Sequence, residues 1–356
     1  RMNLGQCTFG SELLPIGTPI GGDRWRLGPL LDEGNFGLVY SAEPTALGQS
    51  ERSVVVKVIK QSPDDVERNR GSLAGFETEV RILLEARKAA PKRRDSAAGR
   101  HFVSLRHYAV LEVGDVDGRH LAAFPFMVVD RFDVAFDDFL KTRGGRLEIE
   151  EVLDFGLQSL DALEWLHSRG WVHGDCKPNN FGLSWGGIGR ARWKRPNKGG
   201  GRGAPTVVLI DFGRAQRFLD AKNRHWIPEE SEPRSRYRGP IWHGSLNGHM
   251  GRRLGPHDDL ISLLYLLSDA FQGGLPWKHL LEPNPFVVGQ LKWSTPTEML
   301  YEGMPRAFLR LHRQLERLVY GQLPPYGDMR EALRRELEKK EQTTVIDSKK
   351  DKVWRR

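Results

Sequence analysis

Short apolar alternations fill the first 130 positions of the chain, and longer apolar stripes at helical spacing fill the rest. Leu27 to Tyr40, LGPLLDEGNFGLVY, reads as two strands joined by a glycine turn, with Val39 and Tyr40 on the second. Ser53 to Lys60, SVVVKVIK, is β-branched and alternates into charge, as a central strand would. After a polar linker, Gln61 to Ser72, the stretch FETEVRILLEARKAA places Val80, Leu83 and Leu84 on one face of a helix. His101 to Val129 holds two or three strands and ends in FPFMVVD. Glu148 to Gly170 predicts a long amphipathic helix through Leu153, Leu157, Leu160 and Leu163. VVLIDFG, ending at Gly213, is a buried strand running into Asp211.

Composition narrows the class. The 356 residues are 39% hydrophobic, enough for a sizeable core in one large or several average domains. A net charge of +8 favours acidic partners. Two cysteines, Cys7 and Cys176, exclude a disulfide framework and a cysteine zinc site. No run approaches the roughly 20 apolar residues of a membrane span, and RMNLGQC lacks the apolar segment of a signal peptide. The expected location is intracellular, cytoplasmic or nuclear, with no membrane association. A start at Arg1 rather than Met is expected of an excised piece, so targeting information is expected to lie outside it.

Several polar residues stand where packing alone would not put them. Glycines 34 and 37 let backbone N–H groups approach phosphate oxygens, although a glycine turn is also an ordinary hairpin device. Lys57 sits among valines on a strand expected to be buried, which is costly unless the ammonium is paired or functional. Glu79 is the preferred ion-pair partner and Glu77 the alternative, both on the following helix. In WVHGDCKPNNFGL, Asp175 is spaced to accept a hydroxyl proton, Lys177 to neutralise a moving phosphate, and Asn180 to offer an amide oxygen to magnesium. Asp211, ending an apolar strand ahead of Phe212 and Gly213, presents a carboxylate to the same metal. Trp185 to Pro205 is a low-complexity insert rich in Arg, Lys and Gly; a solvated loop or a binding stripe for an acidic partner both fit it. Nucleic acid is the weaker of the partners weighed for that stripe.

Taken together, these motifs over residues 25 to 335 resemble a eukaryotic protein kinase. GPIWHGSLNGH (with Ser245, Leu246 and Asn247), HDDLISLLYLL and GGLPW are similar to the casein kinase 1 superfamily, and YRGPIWHGSLNGH with GPHDDL is most similar to its tau-tubulin kinase branch. HGD at His173 to Asp175 resembles the vaccinia-related kinases. The resemblance implies an α+β, bilobal fold: an extension at 1–24, a β-rich N-lobe at 25–129, a hinge at 130–133, a mainly helical C-lobe at 134–335 and a charged tail at 336–356. It implies Mg-ATP as co-substrate, with ATP against Gly34, Asn35, Phe36, Gly37, Val39, Val55, Lys57, Val129, Asp130 and Phe132. Catalysis falls to Asp175, Lys177, Asn180, Lys57 and Glu79, metal binding to Asn180 and Asp211, and Asp259 anchors the catalytic loop. The form D-x-K-P-x-N implies serine or threonine acceptors on protein.

The chain also departs from that pattern. Asp32 stands where the first glycine of the loop belongs, and Gly174 replaces an arginine that would clamp an activation-loop phosphate. Pro240 occupies the place of a threonine that would bridge the catalytic aspartate and lysine. Trp242 replaces an arginine that reads primed substrates, with Arg234, Arg236 and Arg238 as partial compensation. Val55 and Gly182 change the adenine slot in opposite directions. Cys176 reads as a small packing residue. The expected function is a serine/threonine protein kinase. The alternatives are a pseudokinase or scaffold that keeps the fold, and a basic adaptor acting through the insert and tail.

Overall fold

In the computed structural model the described residues are 14–34, 37–45, 53–59, 65–89, 97–114, 121–185, 205–222, 224–229 and 237–354. Asn35, Phe36, Arg234, Arg236 and positions 186–204 of the basic insert lie outside them. The fold is mixed, with strands concentrated in the N-terminal region and helices after it. The chain divides into two units, Arg1–Phe132 with Asp211–Gly213, and Asp133–Ile210 with Arg214–Arg356.

The first unit is built on β1 (Pro19–Ile20), β2 (Trp25–Glu33), β3 (Gly37–Pro44), β4 (Val54–Ile59), α1 (Val66–Ala89), α2 (Ala97–Arg100), β5 (Leu105–Gly114) and β6 (Leu121–Asp130). The strands form one antiparallel sheet in the order β1-β2-β3-β4-β6-β5. Strand periodicity sends alternate side chains to opposite faces. Val54, Val56 and Val58 of β4 therefore join Leu38, Tyr40, Phe126 and Val128 in a buried cluster, while Val55 and Lys57 face the other way and stay half-buried. Leu14 and Ile20 belong to the same cluster, and the Leu14 N–H donates to the Tyr40 hydroxyl at 3.1 Å. The packed part of this unit thus begins ahead of Trp25, inside the stretch expected to be an extension. Helix α1 begins at Val66, within the expected linker. Asn69 and Ser72 are buried there, so tertiary packing holds helical a segment whose polarity reads as loop.

The second unit holds β7 (Val134–Ala135), α3 (Phe136–Thr142), α4 (Ile149–Ser168), β8 (Trp171–Val172), β9 (Phe181–Ser184), β10 (Thr206–Leu209), β11 (Gln216–Arg217), α5 (Leu246–His249), α6 (Pro256–Gln272), α7 (Pro285–Ser294), α8 (Thr297–Leu300), α9 (Arg306–Glu316) and α10 (Tyr326–Trp354). Helix α4 opens with a reciprocal cap between Glu148 and Glu151, which satisfies otherwise orphaned N–H groups. Helix α6 is buried on every side from Pro256 to Ala270, as its nearly unbroken apolar run requires. These two helices pack together, and Phe155 of α4 stacks on Phe136 with centroids 4.0 Å apart and meets Phe181 edge-on at 5.2 Å. Helix α10 runs on through the expected charged tail to Trp354. Among the described residues no helix is long and apolar enough to cross a membrane.

Candidate active site

The sequence-predicted polar residues fall into two constellations, one in each unit. In the first, Lys57 of β4 donates to Glu79 Oε2 at 2.7 Å and to Asp211 Oδ1 at 2.8 Å. Glu79 is buried on α1 whereas Glu77 is exposed, so geometry selects the former. Burial pulls the Lys57 pKa down, and the adjoining carboxylates of Glu79 and Asp211 outweigh it, holding the value above that of an ordinary lysine. The charge expected to be costly on a valine strand is therefore paired twice over.

Asp211 reaches Lys57 through an unusual backbone. Its φ is 62°, a left-handed conformation that L-residues other than Gly adopt at some cost. The next two residues hold it there. Phe212 is fully buried and stacks on Phe102 with centroids 5.7 Å apart, and Gly213 lies against α1 at Gly75. A Cβ at Gly75 would sit 2.7 Å from the Gly213 carbonyl oxygen, so only glycine admits this approach.

Sheet register places the expected nucleotide contacts. Val39 pairs with Lys57, and Val55 pairs with Val129, so all four belong to three adjacent strands. Gly34 closes the β2–β3 turn by donating to the Gly37 carbonyl at 2.9 Å. Gly37 has a packing reason of its own, since a Cβ there would lie 2.3 Å from Val58 O. Asp32, exposed on β2, accepts from the Glu33 N–H at 2.9 Å. In the connector, the Asp130 N–H is used by Ser104 O and its carboxylate by Arg106, at 2.5 and 3.0 Å. Arg131 donates its N–H to Ser53 O. Among the described residues, Phe132 is the connector residue whose backbone makes no hydrogen bond.

The second constellation sits on the loop after β8. Asp175 and Asn180 are buried, and Lys177 is half-exposed. Lys177 Nζ donates to Asp175 Oδ2 at 2.9 Å; Asn180 Nδ2 donates to the same oxygen at 3.0 Å and to the Asp175 carbonyl at 2.8 Å. Committing the amide nitrogen inward leaves the Asn180 Oδ1 as the atom to offer a cation.

The loop is clamped from α6. Asp259 accepts from the His173 N–H at 2.6 Å, the Gly174 N–H at 2.8 Å and His167 Nε2 at 2.9 Å. Burial opposes its ionisation, but the hydrogen bond and charge of His167, followed by His173 and the Gly174 N–H, hold its pKa below the ordinary carboxylate value. His173 accepts the Asp175 N–H on Nδ1 and donates Nε2–H to Ile210 O, which fixes a neutral tautomer. Gly174 adopts φ 73°, and a Cβ there would lie 3.2 Å from Arg214 O. Its glycine is thus a backbone requirement as well as the absence of an arginine. Burial pushes the Cys176 thiol well up, in line with a packing role.

Three contributors were not singled out by sequence. Gly75 carried a faint signal, since a glycine inside a helical stretch asks for a reason. His167 and Tyr326 carried none. The Tyr326 hydroxyl meets His167 Nδ1 at 2.7 Å, extending the Asp259 network to the first residue of α10.

No protein-family model matches the chain. Over 210 residues it is 29% identical to a probable serine/threonine-protein kinase of Dictyostelium discoideum, an alignment covering 59% of this chain. The chain spans only 38% of the length of that curated relative.

Proposed function

We propose that this chain is a serine/threonine protein kinase, with a kinase domain over residues 25–335, that transfers the γ-phosphate of Mg-ATP to protein hydroxyls. The observation that carries the reading is Lys57, a half-buried ammonium bridging Glu79 and Asp211 from positions 22 and 154 residues away. A merely structural chain has no need to bring two carboxylates onto one lysine beside a left-handed aspartate. Similarity to a probable serine/threonine-protein kinase supports it.

In this reading Asp175 accepts the proton of the acceptor hydroxyl as its oxygen bonds to the γ-phosphorus and the bond to ADP breaks. Lys177, already on Asp175 Oδ2, neutralises charge on the moving phosphoryl group. Lys57 holds the α- and β-phosphates, and Glu79 keeps its ammonium in place. Val39, Val55 and Val129 line the adenine, with Phe132 offering its backbone. The Asp211 carboxylate and Asn180 Oδ1 would hold magnesium; both are hard oxygen donors of the type that ion prefers. When bound, it neutralises the triphosphate. The motifs that resemble the casein kinase 1 superfamily, and its tau-tubulin kinase branch, support reading the chain as a member of that superfamily within this proposal. The acidic partner of the 185–205 insert is a further part of the proposal.

The full chain incubated with γ-labelled ATP and a degenerate serine/threonine peptide library is expected to transfer label. Asp175→Asn is expected to lower the rate by about two orders of magnitude or more, the scale of losing a general base. Thermal stabilisation by Mg-ATP with no transfer to any peptide would instead indicate a pseudokinase.

A further inference from the structure

The segment Tyr237 to Pro240 runs alongside the loop that carries Asp175. Gly239, at φ 94°, comes so near Gly174 that a Cβ on it would lie 3.3 Å from the Gly174 carbonyl oxygen. The segment is fixed in place, since the Arg238 N–H donates to Gly248 O at 2.9 Å and the Gly244 N–H to Pro240 O at 2.6 Å. Gly248 allows this, because a Cβ there would meet Arg238 O at 2.4 Å. Pro240 brings neither a hydroxyl nor an N–H to the loop it borders.

Two polar atoms in this neighbourhood lack partners. The Tyr237 hydroxyl is buried and makes no hydrogen bond among the described residues. Both donors to the Asp175 carboxylate, Lys177 and Asn180, use Oδ2, so Oδ1 has no protein donor among the described residues. Burial, and then the Asp175 charge, push the Tyr237 phenol's pKa up, while Arg214 opposes them. The approach of Gly239 to the Gly174 carbonyl brings the segment that carries the phenol beside the loop that carries the carboxylate. Leaving a buried hydroxyl unpaired costs on the order of 1–3 kcal/mol, so the pair gains by closing. The Tyr237 ring is seated against His249 with centroids 5.0 Å apart.

We propose that Tyr237 is a positioning residue for Asp175: its hydroxyl donates to Oδ1, the carboxylate oxygen that Lys177 and Asn180 do not use. This rests on the kinase reading above. A hydroxyl from residue 237 then does for the aspartate what residue 240, a proline, cannot.

The test compares the full-length chain with Tyr237→Phe, which keeps the ring on His249, using γ-labelled Mg-ATP and the degenerate serine/threonine peptide library. The expected result is a fall in kcat of about tenfold, the scale of one hydrogen bond to a charged group. KM for ATP stays within about twofold, and the midpoint of thermal unfolding falls by no more than about 5 °C, the scale of one lost hydrogen bond. Transfer by the parent chain with an unaltered kcat in Tyr237→Phe overturns this inference alone. A fall in kcat accompanied by a midpoint more than about 10 °C lower assigns Tyr237 to packing and also overturns it. Absence of transfer by the parent chain overturns the kinase reading, and the inference with it.

Discussion

Lys57 shows how a single side chain's cost locates a site. An ammonium on a valine-rich strand demands compensation, and two carboxylates supply it at 2.7 and 2.8 Å. Spacing favoured Glu79 but kept Glu77 as an alternative, because both lie on one helix two residues apart. Burial separates them: Glu79 turns inward to the sheet and Glu77 to solvent. Glu79→Gln keeps shape and removes charge, so kcat/KM for ATP is expected to fall about ten- to a hundredfold, the range for a charge-assisted hydrogen bond. Glu77→Gln is expected to stay within about twofold. Steady-state kinetics on the two variants, with unfolding midpoints measured alongside, checks the pair.

Among the elements, α1 carries most of what was hard to read. Its first seven residues, VERNRGS, are mostly polar and include Gly71, so local propensity argues for a loop; burial of Asn69 and Ser72 overrides it. Gly75 in the same helix looks like a weakness, because alanine there would favour the helix by about 1 kcal/mol. The backbone of Gly213 decides otherwise, since a Cβ would meet a carbonyl oxygen 2.7 Å away and that atom is not free to swing aside. Gly75→Ala is therefore expected to keep or raise helicity by circular dichroism while displacing Asp211 and lowering phosphate transfer at least tenfold. Unchanged transfer with raised helicity would show that α1 and the Asp211 segment tolerate separation.

For the whole molecule, α10 sets where the folded chain ends. Met329, Leu333 and Leu337 are buried at four-residue steps, and Arg330 pairs with Asp161 and Glu164 of α4. Three such side chains are worth about 5 kcal/mol of burial, a large share of a typical domain's stability. A chain ending at Lys340 is expected to unfold at the same temperature as the full one. A chain ending at Pro325 also loses Tyr326 from His167 and is expected to unfold at least 10 °C lower in a thermal scan, with transfer abolished. Equal stability of the two truncations would contradict this division.

The order of strands and helices and the six polar residues from Lys57 to Asp211 were legible in the linear chain, because apolar periodicity and residue spacing are local properties. The packed start at Leu14, the helical linker, the pairing of Glu79 over Glu77, the left-handed Asp211 and the path from Asp259 through His167 to Tyr326 were decided by the tertiary structure. Each depends on atoms far apart in sequence meeting within hydrogen-bond or van der Waals distance. No pattern confined to neighbouring residues records such a meeting.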